Sequence, residues 1–158
     1  MENLQQKLYN DQLAWATNVI ALAKNKLVQR KKIASGSLYN SISFRISKRG
    51  QVVFLADESA GYVQGGRPAF PGRGVDPKGD FIKSIKKWAK VKGLPQFRDK
   101  KGRYISNDSR AFLVARSINK KGIKPFPFYN DAIDESLDQL ADSQQDTIAD
   151  TILDSIEI

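Results

Sequence analysis

Apolar residues in the first thirty positions recur at helical spacing. Leu4, Leu8, Trp15, Val19 and Leu22 fall along one face of residues 3–29, with a break at Asp11 and Gln12. Leu13, Ile20 and Leu27 add a second apolar line, so this helix is expected to touch protein on more than one side, the core or a partner. The period then changes from helical to twofold. Over residues 37–47, Leu38, Asn40, Ile42, Phe44 and Ile46 alternate with Ser41, Ser43 and Arg45, the pattern of a half-buried strand. "KRG" at 48–50 predicts a hairpin turn with Gly50 at positive φ, and "QVVFLA" predicts the returning strand, with Val52 and Phe54 on the partner face. Asp57 is placed to cap a short helix through Val63, which Gly65 and Gly66 stop.

Helical spacing returns after residue 77. A helix starting near Pro77 to Asp80 presents Phe81, Ile85 and Trp88 on one side, flanked by Ile82 and Ala89, with Lys83, Lys86, Lys87 and Lys90 on the other; Gly93 and Pro95 end it. "FRDKKGRYI" is a small hairpin or a loop. Asn107 or Asp108 caps the next helix, whose inner stripe is Ala111, Val114, Ala115 and Ile118, and Gly122 closes it with Ile123 as the apolar contact beyond the cap. Pro125 and Pro127 in "KPFPFY" withhold two ladder donors, which predicts an edge strand or a strap laid over the core. Residues 131–156 read as a helix with Ile133, Leu137, Leu140, Gln144, Ile148 and Ile152 on one face and Asp134, Asp138, Asp142, Asp146 and Asp150 on another. Acidic residues oppose a helix C-terminus, so the last turn is expected to fray unless something basic docks on it. The elements amount to an α+β fold. A small antiparallel sheet on the hairpin at 37–56 packs with several α-helices, long ones at both ends, in a single domain over 1–158.

One stretch does not fit ordinary connections. "GYVQGGRPAFPGRGVDPKGD", residues 61–80, holds six of the eleven glycines and three of the six prolines. Connections usually take about 4–6 residues. A run this long predicts an extended loop over 66–79 that reaches a neighbouring molecule, with Arg67, Phe70 and Arg73 as contact residues.

Charge sharpens the picture. The net +9 divides unevenly: residues 1–124 carry all 26 Lys and Arg against 8 Asp and Glu, and residues 125–158 carry 9 Asp and Glu with no Lys or Arg. A basic body points to a polyanion, while an acidic end suits folding back or meeting the basic face of another copy. Asp142, Asp146 and Asp150 are candidates for that contact, and Lys86, Lys87 and Lys90 for a passing polyanion.

Composition removes most chemistry. There is no Cys and no His, which excludes disulfides, thiolate and imidazole metal sites and the usual neutral-pH general base. Asp57, Asp80 and Asp108 suit helix capping, and Asp57, Glu58, Asp76, Asp80, Asp99 and Asp108 have no spacing that pairs two on a helix face or builds a Mg²⁺ site. "GRGVDPKGD" lacks the Lys-Ser/Thr step of a phosphate loop. Neither catalysis nor a cofactor or metal is expected. "MENLQQ" carries no secretory pattern, and the longest apolar runs, "VIALA" and "VVFLA", are five residues long, so no membrane partner is expected either.

The order of features is distinctive. An amphipathic helix precedes "SGSLYNSISFRI"; "GQVVFLADESAGYVQGGR", a Gly/Pro-rich loop, a helix and "GIKPFPFYNDAI" follow. This resembles the neck and tail-completion proteins of tailed bacteriophages, the small head-tail joining family. There a small-Gly-x-Leu-x-x-Ser-Ile opening leads into a hairpin, a short helix with Tyr-Val or Tyr-Ala ends in a Gly-rich turn, and a Pro-Phe motif begins the C-terminal helix. The matching positions are Ser35, Gly36, Leu38, Ser41 and Ile42; Ala60, Tyr62, Val63, Gly65 and Gly66; and Pro125, Phe126, Pro127 and Phe128, within a likeness spanning roughly residues 1–140. Gln64 stands where family members usually carry an acidic residue, and "FIKSIKKWAKVKG" lengthens the middle. The resemblance implies a virion structural protein assembled in the host bacterial cytoplasm. It would form a six- or twelvefold ring of copies between portal or adaptor and tail proteins, with double-stranded DNA passing through non-specifically. The alternative, from charge alone, is a basic nucleic-acid-binding accessory protein.

Overall fold

A computed structural model describes residues 3–33, 35–72 and 74–156. The fold is α+β. Its elements are α1 (Leu4–Gln29), α2 (Ser37–Ser41), β1 (Ser43–Ile46), β2 (Val52–Leu55), α3 (Ser59–Gly65), α4 (Asp80–Val91), α5 (Asn107–Lys121) and α6 (Phe128–Ile156). The described residues form two compact units: unit 1 from 3–33, 38–59 and 127–156, and unit 2 from 35–37, 60–72 and 74–126.

Unit 1 is built on α1 and α6, which run antiparallel. Asn18 meets Gln139 at 3.0 Å, Asp11 meets Thr147 at 2.7 Å and Lys7 lies 3.6 Å from Asp154. Asn3 caps α1 by accepting the Gln6 N–H at 2.8 Å. Small and large side chains alternate in the seam. α1 buries Ala16, Val19, Ala23 and Leu27, and α6 buries Phe128, Tyr129, Ala132 and Ser136.

The expected α6 stripe is therefore rotated. Ile133, Leu140 and Gln144 of it are half-buried, whereas Leu137, Ile148 and Ile152 are exposed, because the face turned to α1 runs through Ala132, Ser136 and Thr147. Leu4 is likewise exposed on α1.

The β1–β2 hairpin packs on α1, with Phe44 opposite Phe54 and Ile46 opposite Val52. Gly50 has φ +74°, as its turn requires. Phe54 meets Trp15 edge-on at 5.7 Å and Tyr129 at 5.6 Å. The strand expected over 37–47 is shorter, since residues 37–41 are helical. Ser41 explains the change: its hydroxyl donates to the Leu38 carbonyl at 2.9 Å and accepts the Asp57 N–H at 2.8 Å, diverting the backbone from a ladder. "KPFPFY" forms no strand; its residues 124–127 run without regular structure, and the Phe126 N–H donates to the Val63 carbonyl at 2.9 Å. α6 begins at Phe128, and Pro127 stands just before it, where a missing N–H costs nothing. The far end of α6 stays helical to Ile156, with Lys7 beside Asp154.

Unit 2 packs α4 against α5. Ile82, Ala111 and Ala115 form its core, with Val75, Phe81, Ile85 and Phe112 against it. Ile82 and Ala89 are the buried residues of α4, and Trp88 is 39% exposed, so this stripe is also rotated from the expected one. Buried Arg110 donates through Nη1 to the carbonyls of Leu94 and Pro95, at 2.8 and 3.1 Å, and ties the segment after α4 to α5.

Candidate interaction surfaces

The Gly/Pro-rich loop of unit 2 is pinned at its start. The N–H of Arg67 donates to the Ile123 carbonyl at 2.9 Å, the N–H of Ile123 to Arg67 at 2.8 Å, and the N–H of Phe70 to the Asn119 carbonyl at 2.7 Å. Two glycines make this crossing possible. Gly66 (φ +70°) and Gly122 (φ +71°) sit where a Cβ would come within 2.5 Å of the Ile123 and Arg67 carbonyl oxygens respectively.

Arg67, expected to reach a neighbour, has its partners inside its own unit. Its guanidinium lies 4.4 Å from the ring centre of Phe81 and 5.9 Å from that of Phe70, and donates to Asn119 Oδ1 at 3.3 Å. Phe70 remains 40% exposed. Arg73 lies outside the described residues. The signal for the crossing is present in the sequence as glycine directly before Arg67 and directly before Ile123, but it marks a pair only once the partners are known.

Between α4 and α5 an open groove of about 700 Å³ is lined by Ile82, Ile105, Phe112 and Leu113, with Lys78, Lys86 and Asp108 among its polar lining. Lys86 reaches Asp108 at 2.8 Å and Lys83 reaches Asp80 at 2.8 Å. Both pairs are solvated and weak. Neither aspartate caps its helix as expected. Gly79 stands at the start of α4 and Ser106 caps α5 through the Ser109 N–H, while Asp80 and Asp108 lie in the first turns, where a carboxylate still favours the helix N-terminus. Asp57 does accept the Ser59 N–H at 2.8 Å at the start of α3.

Trp88 and Val91 are exposed on α4 beside Lys87 and Lys90, which form no ion pair among the described residues. Farther on, Arg98 stacks on Tyr104 at 4.4 Å and bonds its hydroxyl at 2.7 Å. Asp99 holds the turn between them; the backbone N–H of Arg103 is the main cause that keeps its carboxyl below the usual range. The segment 60–126 carries 17 Lys and Arg against 4 Asp.

In unit 1, α6 has the opposite sign. Its 29 residues include eight Asp and Glu and no Lys or Arg. Beyond Ser136 none of its described residues is buried. Leu137, Ile148, Ile152 and Ile156 are exposed along one line of the helix, and Asp138, Asp142, Asp146 and Asp150 follow one another at intervals of four along another. Asp142, Asp146 and Asp150 form no ion pair among the described residues.

Among the described residues no cluster of three or more carboxylates could hold a metal ion, and no helix is long and apolar enough to cross a membrane. No protein-family model, curated protein or solved structure matches the chain.

Proposed function

We propose that this protein is a structural component of a tailed-bacteriophage virion. It forms a ring of copies in the neck between portal and tail, and double-stranded DNA passes through that ring. The observation that carries this reading is the division of charge between two outward surfaces: the basic α4–α5 region, and the acidic, apolar-striped outer side of α6. A ring needs a heterologous interface, one patch meeting a different patch on the next copy, and two surfaces of opposite sign on one chain supply it. The order of motifs from Ser35 to Phe128 adds the likeness to neck proteins. The lysines of α4 line or approach the DNA path as a non-specific cationic wall. Assembly takes place in the bacterial cytoplasm, with portal or adaptor and tail proteins as neighbours.

Electron-microscopy class averages of the purified protein and of the particle test this directly. Closed rings, and the protein located at the neck, are expected. A monomer at every concentration, absent from virions, overturns it.

A second reading, a nucleic-acid-binding accessory protein, is favoured by one specific observation. Trp88 is exposed beside Lys87 and Lys90, and an exposed aromatic beside cations can stack on bases. That reading requires the monomer to bind DNA with steep salt dependence, whereas a connector binds free DNA weakly.

A further inference from the structure

We infer that the groove between α4 and α5 of one copy receives the outer side of the distal half of α6 from a second copy. This deepens the ring reading and rests on it, by naming the two surfaces that meet.

Three observations converge on the pair. First, α6 continues for twenty residues past its last buried position, Ser136, and on that continuation exposes Ile148, Ile152 and Ile156 at intervals of four. An isoleucine row at this spacing is the signature of a helix that lays an apolar face into a groove. Among the described residues nothing buries it. Second, unit 2 has a groove of matching character, lined by Ile82, Ile105, Phe112 and Leu113, with Leu113 itself 46% exposed.

Third, the charges agree. α6 carries eight Asp and Glu and no Lys or Arg, the segment 60–126 that holds the groove carries 17 Lys and Arg against 4 Asp, and in the groove's own lining Lys86 pairs with Asp108 while Lys78 adds a further positive charge. The C-terminal end of α6 carries acidic residues and the negative end of its dipole, both of which favour cationic surroundings. Every copy has one groove and one such helix, so the contact repeats head to tail and closes a ring when the rotation permits.

The absence of cysteine allows thiols to be placed one at a time. Full-length Ile152→Cys and full-length Leu113→Cys are prepared separately, mixed in equal amounts and oxidised mildly. Both positions are exposed, so the fold tolerates the exchange; Ile148→Cys provides a second reporter on α6. The expected result is a predominant mixed disulfide joining the two variants. Adding Lys78→Glu to the Leu113→Cys chain should lower its yield several-fold at low salt.

Symmetric Ile152–Ile152 products alone, or no cross-link from either reporter, overturn the inference. Sedimentation of the unaltered protein separates this from the wider reading. Rings without the mixed disulfide reject the docking but leave the ring. The mixed disulfide with only open chains supports the docking and rejects the closed ring.

Discussion

The indole N–H of Trp15 donates to both the carbonyl and the hydroxyl oxygen of Ser136, each at 3.0 Å, across the α1–α6 seam. The Ser136 hydroxyl in turn donates to the Ala132 carbonyl at 2.9 Å, so a polar group that is fully buried is satisfied on both sides. Replacing Ser136 by Leu forces branched volume into a fully buried position between two helices, and should destabilise unit 1 by about 1–3 kcal/mol. Ser136→Ala should cost about 1 kcal/mol through the lost acceptor. Urea unfolding followed by Trp fluorescence measures both, and equal stability of Ser136→Leu and wild type would contradict the seam as described.

Arg67 is held by shape as well as by charge. Its planar guanidinium stacks on Phe81 and reaches Asn119, a combination that a lysine ammonium does not reproduce. Arg67→Lys and Arg67→Ala should therefore both lose stability, by about 1–2 kcal/mol, with little rescue by lysine. A double-mutant cycle with Phe81→Leu should return a coupling of at least about 0.5 kcal/mol, and a coupling of zero removes the stacking from the account.

Gly122→Ala should be among the most damaging single-methyl changes in unit 2. The new Cβ meets the Arg67 carbonyl oxygen at 2.5 Å, and the residue must keep φ +71°. Strain of this kind costs on the order of 2 kcal/mol before any clash is relieved. Gly61→Ala has open space within 4 Å and serves as the control. Thermal unfolding of the pair should separate them by several degrees.

Tyr129 gives unit 1 a response to alkali. Burial pushes its hydroxyl up to about 12, while it donates to the Leu55 carbonyl at 2.8 Å. A folded-state value above the unfolded value near 10 means that the folded chain holds this proton longer. Its contribution is thus complete below pH of about 10 and is lost as pH rises from there towards about 12. Ultraviolet titration should show a late-ionising phenol that disappears in Tyr129→Phe, and Tyr129→Phe should lose less stability than wild type across that window. Identical alkaline profiles would refute the assignment.

The sequence reveals where elements begin and end better than which side of each is buried. Gly50, Gly66, Gly93 and Gly122 mark turns and helix ends because positive φ is a local requirement, and all four have it. The buried side depends on the partner. Ala16, Ala23, Ala132 and Ser136 carry little hydrophobic signal, yet they define the seam, and the larger Leu137, Ile148 and Ile152 are left outside. Trp88 misleads in the same way on α4, where Ile82 and Ala89 take the interior. The charge division of the candidate surfaces is legible from composition alone. The confinement of Arg67 is not, since its partners Asn119 and Ile123 lie more than fifty residues away.

The paired strands of backbone at Arg67 and Ile123, together with the bond from the Phe126 N–H to the Val63 carbonyl, bring the two ends of the 60–126 segment together. The 60–126 segment, the larger part of unit 2, leaves and rejoins the chain through one gate. Variation in its interior, whether a longer α4, a different Gly/Pro stretch or an added hairpin, need not alter the spacing between its ends. Two short backbone contacts thus fix how far apart residues 60 and 126 stand, whatever the length of chain between them.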